Sequence, residues 1–425
     1  MSAEGLPGRQ ADGSSRLQRQ IGRWAQHLNG QSWTASIVWG LTVTLALRLA
    51  LGGLMAAVWW VAAPHLDPGL LATPELHGGI AVPADRLGQA VLGVWLRWDA
   101  VHHMRLAQFG YLGAEVGSST FYPLYAGLVA ATRPLVGGAT LAAGLLVSTL
   151  DAFAAFTLLH RLVSERVSAA TARWTLLALA VFPTSFFLIA PYTESLFLAV
   201  TLGALLAAHR QRWLLAGALA GLSALTRGPG IMNALPLAWI AWRQWGQSPR
   251  STRRLKSLAP GVLAAGLPLV AAAAFQLWRA QLGFPPLNVT LGQHARQAWV
   301  GPLRGPVLAI GQLLELKEYL PFIEVLAAAA FTGLTIVLLR NRSLPRATWG
   351  LYLAGNLLVL LGLHSMQASV WRSMARYVLI LFPAFAVIGH WLASARPRER
   401  LAYLALSSSW LMVHSALSAV YIFIG

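Results

Sequence analysis

Apolar runs of about twenty residues recur along almost the whole chain, and no other feature limits its fold as strongly. A helix needs ~20 apolar residues to cross the hydrocarbon core of a bilayer. Inside lipid, only helices and closed barrels satisfy every backbone polar group. The runs predict eleven helical spans, at 37–63, 139–160, 174–190, 195–208, 213–226, 231–245, 258–282, 319–339, 348–364, 377–392 and 401–423. A further run, 121–134, ends at Arg133-Pro134 and is too short to cross. It is expected to be a half-helix or re-entrant piece, which survives only when packed in protein. The expected fold is therefore all-α and polytopic, one transmembrane domain over 37–425 after a polar tail, 1–36.

Composition agrees. The chain is 56% hydrophobic and 11% charged, against about 25% charged in soluble domains. The tail carries Arg9, Arg16, Arg19 and Arg23 with no apolar stretch between them, so it does not read as a secretory signal. The formal net charge of +18 would suggest nucleic acid in a soluble protein. Here a basic excess belongs at cytoplasmic loop ends, beside anionic lipid, and no nucleic-acid partner is expected. Cysteine is absent, which removes disulfides and thiolate chemistry.

The basic residues also set an orientation. They cluster in the tail and at 161–173, 210–212, 243–256, 340–346 and 396–400. Eleven crossings place every cluster in the cytoplasm, with the N-terminus inside. The loops 64–120, 191–194, 227–230, 283–318 and 365–376 then fall outside. Asp67, Glu75, Asp85, Asp99, Glu115, Glu194, Glu315 and Glu318 all land on that side. The Ala/Leu/Gly/Arg/Trp bias suggests a bacterial source and hence a multi-pass inner-membrane protein. The first large outer loop contains 86–109, whose helical spacing of apolar residues predicts one amphipathic helix at the interface.

Ionisable groups near membrane depth are costly and so become candidate functional residues. Asp99 stands first, in Arg97-Trp98-Asp99-Ala100-Val101-His102-His103. Helical spacing puts His102 and His103 on its face. A half-desolvated carboxylate beside imidazoles suits a general base toward a hydroxyl; the structural alternative is an ion pair with Arg97 or His103 that merely folds the loop. Glu194, in Pro191-Tyr192-Thr193-Glu194-Ser195, either shapes a site or caps a helix. Arg227, Arg372 and Arg376 can fork onto phosphate oxygens or anchor lipid headgroups. Asp151 lies within a span and is expected to pair structurally, either with another buried polar group or with Arg48 of the first span. No P-loop, HExxH or dinucleotide fingerprint occurs, which argues against an energy-driven pump. Any sugar donor should itself be lipid-borne, because no soluble nucleotide-sugar domain is present.

Arg97-Trp98-Asp99-Ala100-Val101-His102, Gly110-Tyr111 and Phe121-Tyr122-Pro123-Leu124-Tyr125 together resemble the first outer loop of the PIG-V-like mannosyltransferases. The likeness continues through Phe182-Pro183-Thr184-Ser185, Tyr192-Thr193-Glu194-Ser195-Leu196-Phe197, Thr226-Arg227-Gly228, Gln297-Ala298-Trp299 and Arg376-Tyr377. The resemblance implies a GT-C-type membrane glycosyltransferase. It implies a polyprenyl-phosphate-mannose donor, a lipid or glycolipid acceptor, and Asp99 as the catalytic acid/base position. His102, His103, Arg227, Arg372 and Arg376 would bind the donor phosphate. Trp98, Tyr122, Tyr192, Glu194 and Gln297 would shape the acceptor side. The chain departs from the family at Phe121-Tyr122-Pro123 and Arg227-Gly228-Pro229-Gly230, which leaves the acceptor open. No cofactor is required, since a phosphate leaving group needs little acid assistance; a divalent metal is possible but has no convincing ligand cluster beyond Asp99, His102, His103 and Glu194. Two alternatives stand: a lipid or lipid-linked-sugar transporter, and a related enzyme using another sugar or a protein acceptor.

Overall fold

The computed structural model describes residues 32–67, 77–249, 255–295, 297–314, 319–365, 371 and 373–422. The tail over 1–31, Glu75, Glu315, Glu318 and Arg372 lie outside the described residues. The protein is an all-α, polytopic membrane protein, and each of the eleven apolar runs is helical over most of its length. The helices are α1 (Trp33–Ala62), then α2 (Asp99–Gly113) and α3 (Pro123–Thr132) in and after the first large loop, then α4 (Thr140–Arg166), α5 (Ala169–Ala180), α6 (Glu194–His209) and α7 (Trp213–Ala224). They are followed by α8 (Ala234–Gln247), α9 (Ala259–Gln281), α10 (Arg304–Leu314), α11 (Tyr319–Arg340), α12 (Arg346–Gly362), α13 (Phe382–Ser394) and α14 (Pro397–Ala419).

Four of these helices are individually long and apolar enough to cross a bilayer. A fifth results if Met374–Ile380 and Phe382–Ser394, bent by 79°, form one broken span. The others differ among themselves: α14 has 23 residues but is less apolar, and α6 has 16. α6 is buried along nearly its whole length, as befits a helix apolar on every side. The expected span 174–190 is not one helix: α5 stops at Ala180 before Phe182-Pro183, and a short 3-10 turn, Ser185–Leu188, follows. Proline disfavours helical backbone in the residue before it and lacks an N–H donor.

Lipid tails are as apolar as leucine, so close packing rather than hydrophobic burial joins spans. Two glycines mark where backbones meet. A Cβ at Gly40 of α1 would overlap Thr157 of α4, and one at Gly389 of α13 would overlap Thr175 of α5. α3 has ten residues, a rise of about 15 Å, or half of a hydrocarbon core. Two short strands break the all-helical pattern: β1 (Gln297–Trp299) pairs antiparallel with β2 (Leu363–Ser365), Gln297 opposite Ser365.

The first loop corrects one expectation. Residues 86–109 do not form a single helix. A short helix (Arg86–Val91) and a 3-10 turn (Gly93–Trp95) end at Leu96, and α2 starts afresh at Asp99. Trp98, between them, has φ +47°, a conformation that side-chain-bearing residues rarely adopt. Among the described residues, Asp151 makes neither of the expected pairings, with Arg48 or with another buried polar group, through its Oδ2. Arg48 donates to the Thr149 hydroxyl and to the carbonyls of Leu145 and Ile189.

Candidate active site

The loops expected on the outer side converge at one end of the bundle around a cavity of about 450 Å³. Its deepest feature is a row of four charges of alternating sign. Arg376 Nη1 lies 2.7 Å from Asp99 Oδ2, and its Nε lies 3.3 Å from Glu194 Oε1. Arg227 Nη1 reaches the same Glu194 oxygen at 2.6 Å and donates to the Thr193 hydroxyl at 2.9 Å. Glu194 is fully buried, Arg376 is 4% exposed, and the Asp99 side chain is 30% exposed to the cavity. The four formal charges sum to zero, which makes burial tolerable. Aromatic faces enclose the guanidinium groups: Tyr192, Phe187 and Tyr377 around Arg376, and Tyr377 beside Arg227.

Asp99 occupies its place because the backbone before it is clamped. The Tyr192 hydroxyl donates to the Arg97 carbonyl at 2.9 Å. The buried Arg97 guanidinium donates to the carbonyls of Gly93, Leu96 and Ala419, with the Tyr421 ring 3.6 Å away. These contacts hold the strained turn at Trp98, a conformation worth about 1–3 kcal/mol. Asp99 thus begins α2, where the helix dipole favours an anion. Burial pushes its carboxyl up, but the paired Arg376 guanidinium outweighs it, so Asp99 titrates below its usual range. The expected partners were Arg97 or His103; the observed one is Arg376, far along the chain, while Arg97 turns away from the site.

The two histidines differ. His102 stacks on Phe121 and places Nδ1 2.9 Å from the Ser118 hydroxyl and 3.3 Å from Glu115. His103 is 3% exposed and lies edge-on to Phe121 and Tyr125. Burial, the largest effect, depresses its pKa to about 3, so it is neutral and brings no positive charge. Trp98, Tyr122, Tyr192 and Gln297 also line the cavity, Gln297 from β1. Burial pushes the Tyr122 hydroxyl up to about 12, leaving it a hydrogen-bonding group. Every predicted site residue that is described lines the cavity, except Glu194, which lies beneath it and anchors both arginines.

Two supporting residues escaped the sequence reading. Glu324 of α11 is 3% exposed and accepts from the backbone N–H groups of Ser373 and Ala375 at 2.9 and 2.7 Å. It fixes the turn carrying Arg376, in which Ser373 has φ +74°. Arg279 of α9 ties the two large loops together through the Ser119 carbonyl and the Thr290 hydroxyl. Each is a lone charge in an apolar run, the signal that singled out Asp151 and Arg48.

No family model and no curated protein matches the chain. Among solved structures it is similar to ArnT from Cupriavidus metallidurans bound to undecaprenyl phosphate. There the identity is 16% and the TM-score 0.47, over 89% of this chain and 76% of that one. It is also similar to the Archaeoglobus fulgidus oligosaccharyltransferase in complex with Zn and sulfate. That identity is 13% and the TM-score 0.45, over 92% of this chain and 53% of that chain, so this protein spans about half its length.

Proposed function

We propose that this protein is an inverting glycosyltransferase. It moves a mannose-like sugar from a polyprenyl-phosphate carrier to the hydroxyl of a lipid-linked acceptor, in a cavity facing the extracytoplasmic side. The observation that carries this reading is the Asp99–Arg376–Glu194–Arg227 row beneath an aromatic, partly open cavity. It offers a carboxylate for the acceptor and arginines for a phosphate within one site. In the reaction, Asp99 takes the proton of the acceptor hydroxyl. That oxygen bonds to C1 of the sugar, the C1–O bond to phosphate breaks, and its electron pair stays on the phosphate oxygen. Arg376 and Arg227 stabilise the charge that develops there. His102, held by Ser118 and Glu115, orients a sugar hydroxyl, and His103 keeps the floor apolar and uncharged.

A base already paired with a guanidinium is ionised but weak. The donor phosphate strengthens it by drawing Arg376 toward itself, so base strength rises when the donor is bound. The transporter alternative needs a polar path to the far side. Among the described residues, Arg48 is instead consumed by backbone carbonyls and the Thr149 hydroxyl.

The test is transfer of labelled mannose from polyprenyl-phosphate-mannose to a lipid extract by purified protein in vesicles. The wild type should label a new lipid, and Asp99→Asn should lose about 10²–10⁴ of the rate, the usual scale for a general base. Equal transfer by both would remove Asp99 from the chemistry. Failure of the wild type with this donor and with other polyprenyl-phosphate sugars would remove the glycosyltransferase reading.

A further inference from the structure

A second cavity, also about 450 Å³, lies away from the charged row. It is a groove between α8 and α12, with the end of α11 closing one side. Leu235 and Trp239 form one wall, Leu339 the other, and Gly350, Ala354 and Leu358 the floor. Its surface is almost wholly apolar, and its one charged lining residue is Arg346, the first residue of α12. The α12 helix runs from Arg346 toward Leu360, which lines the catalytic cavity, so Arg346 marks the opposite end of the bundle. Arg243 approaches the Trp239 ring at that end, with Arg340 and Arg342 nearby in the chain. No ion pair with a carboxylate involves Arg346, Arg243, Arg340 or Arg342 among the described residues.

We propose that this groove binds an anionic phospholipid of the leaflet opposite the catalytic cavity, its phosphate on Arg346 and one acyl chain along α12. Arg346 to Leu358 spans twelve residues, a rise of about 18 Å, close to the ~15 Å hydrocarbon depth of one leaflet. A guanidinium at an apolar mouth suits a phosphate whose tail runs inward. The tail of a carrier whose phosphate lies at Arg376 would meet that charge with hydrocarbon. The groove is closely walled along α12: a Cβ on Gly350 would stand 2.6 Å from Leu339 Cδ2. A Cβ on Gly355 would stand 3.1 Å from Leu235 Cδ1 and 3.4 Å from Met232 Sδ.

Native mass spectrometry of the full chain from neutral detergent, with added phosphatidylglycerol or phosphatidylcholine, tests this. Phosphatidylglycerol should be retained at least tenfold more than phosphatidylcholine. Arg346→Gln should erase that preference, and Ala354→Phe should reduce retention of both, with polyprenyl-phosphate affinity unchanged in each variant. Equal retention of the two lipids by the wild type, or an undiminished preference in Arg346→Gln, overturns the proposal. Displacement of phosphatidylglycerol by polyprenyl phosphate overturns it too, by assigning the groove to the carrier's tail. A measurement without variants uses phosphatidylglycerol bearing a photoreactive acyl chain: crosslinks should fall on α8 and α12, and crosslinks elsewhere would refute the assignment.

Discussion

Asp99→Asn should bind polyprenyl phosphate more tightly than the wild type while losing transfer. In the resting site Arg376 is held by Asp99 at 2.7 Å, and an incoming phosphate must share or replace that partner. Two unit charges whose centres lie about 4 Å apart attract by ~4 kcal/mol at an effective dielectric of 20. The Asp99 side chain keeps 30% of its surface exposed, so hydration offsets much of this and leaves a net of about 1–2 kcal/mol. Asparagine preserves the shape but removes both the competing charge and its repulsion toward phosphate. At 1.4 kcal/mol per tenfold, the Kd should fall about five- to thirtyfold. Equilibrium binding of labelled polyprenyl phosphate to protein in nanodiscs measures this directly. An unchanged or higher Kd would show that the phosphate does not compete for Arg376, and the reading of that residue would fail.

Three further outcomes are expected. His103 has a folded pKa of about 3, whereas the unfolded chain takes up its proton near 6.5; stability should fall with pH across that window, by up to about 1.4 kcal/mol per unit. Thermal unfolding of His103→Phe between pH 7 and 5 should show a shallower slope than the wild type, and an identical slope would contradict the assignment. Glu324→Ala leaves two buried N–H groups unsatisfied, at about 1–3 kcal/mol each, so the Tm should drop and transfer should fall at least tenfold. Glu324→Gln keeps one acceptor oxygen and should lie between; a full-rate Glu324→Ala enzyme would free Arg376 from dependence on this clamp. Tyr192→Phe loses one hydrogen bond, about 1 kcal/mol, and should lower kcat with phosphate affinity retained, as single-turnover assays can resolve.

The spans were legible because bilayer thickness imposes a length and backbone hydrogen bonding imposes a helix. Asp99, Glu194, Arg227 and Arg376 were legible as misplaced charges. Their partnership was not, because 277 residues separate Asp99 from Arg376 and no local spacing encodes a contact across the bundle. The break at Trp98 was hidden for a related reason: 86–109 has helical periodicity, and tertiary contacts from Tyr192 and Ala419 override it. The strand pair was equally invisible, since three-residue strands carry no period. Glu324 and Arg279 carried the signal that singled out Asp151 and Arg48, yet both support the site from outside the loops where chemistry was sought.

The four-charge row also has an order in time. Both carboxylates come early in the chain, Asp99 and Glu194, and both arginines come later, Arg227 and Arg376. As the nascent chain enters the membrane, Glu194 arrives at the start of α6 with no cation to meet it until the turn after α7 has formed. Asp99 waits longer, until Arg376, 277 positions further along the chain, has been made. The early helices must therefore pack with their acids still in contact with water or carrying protons. Closing the site then waits on Arg376, and a chain stalled between Arg227 and Arg376 presents Asp99 unmatched to the quality-control machinery of its membrane.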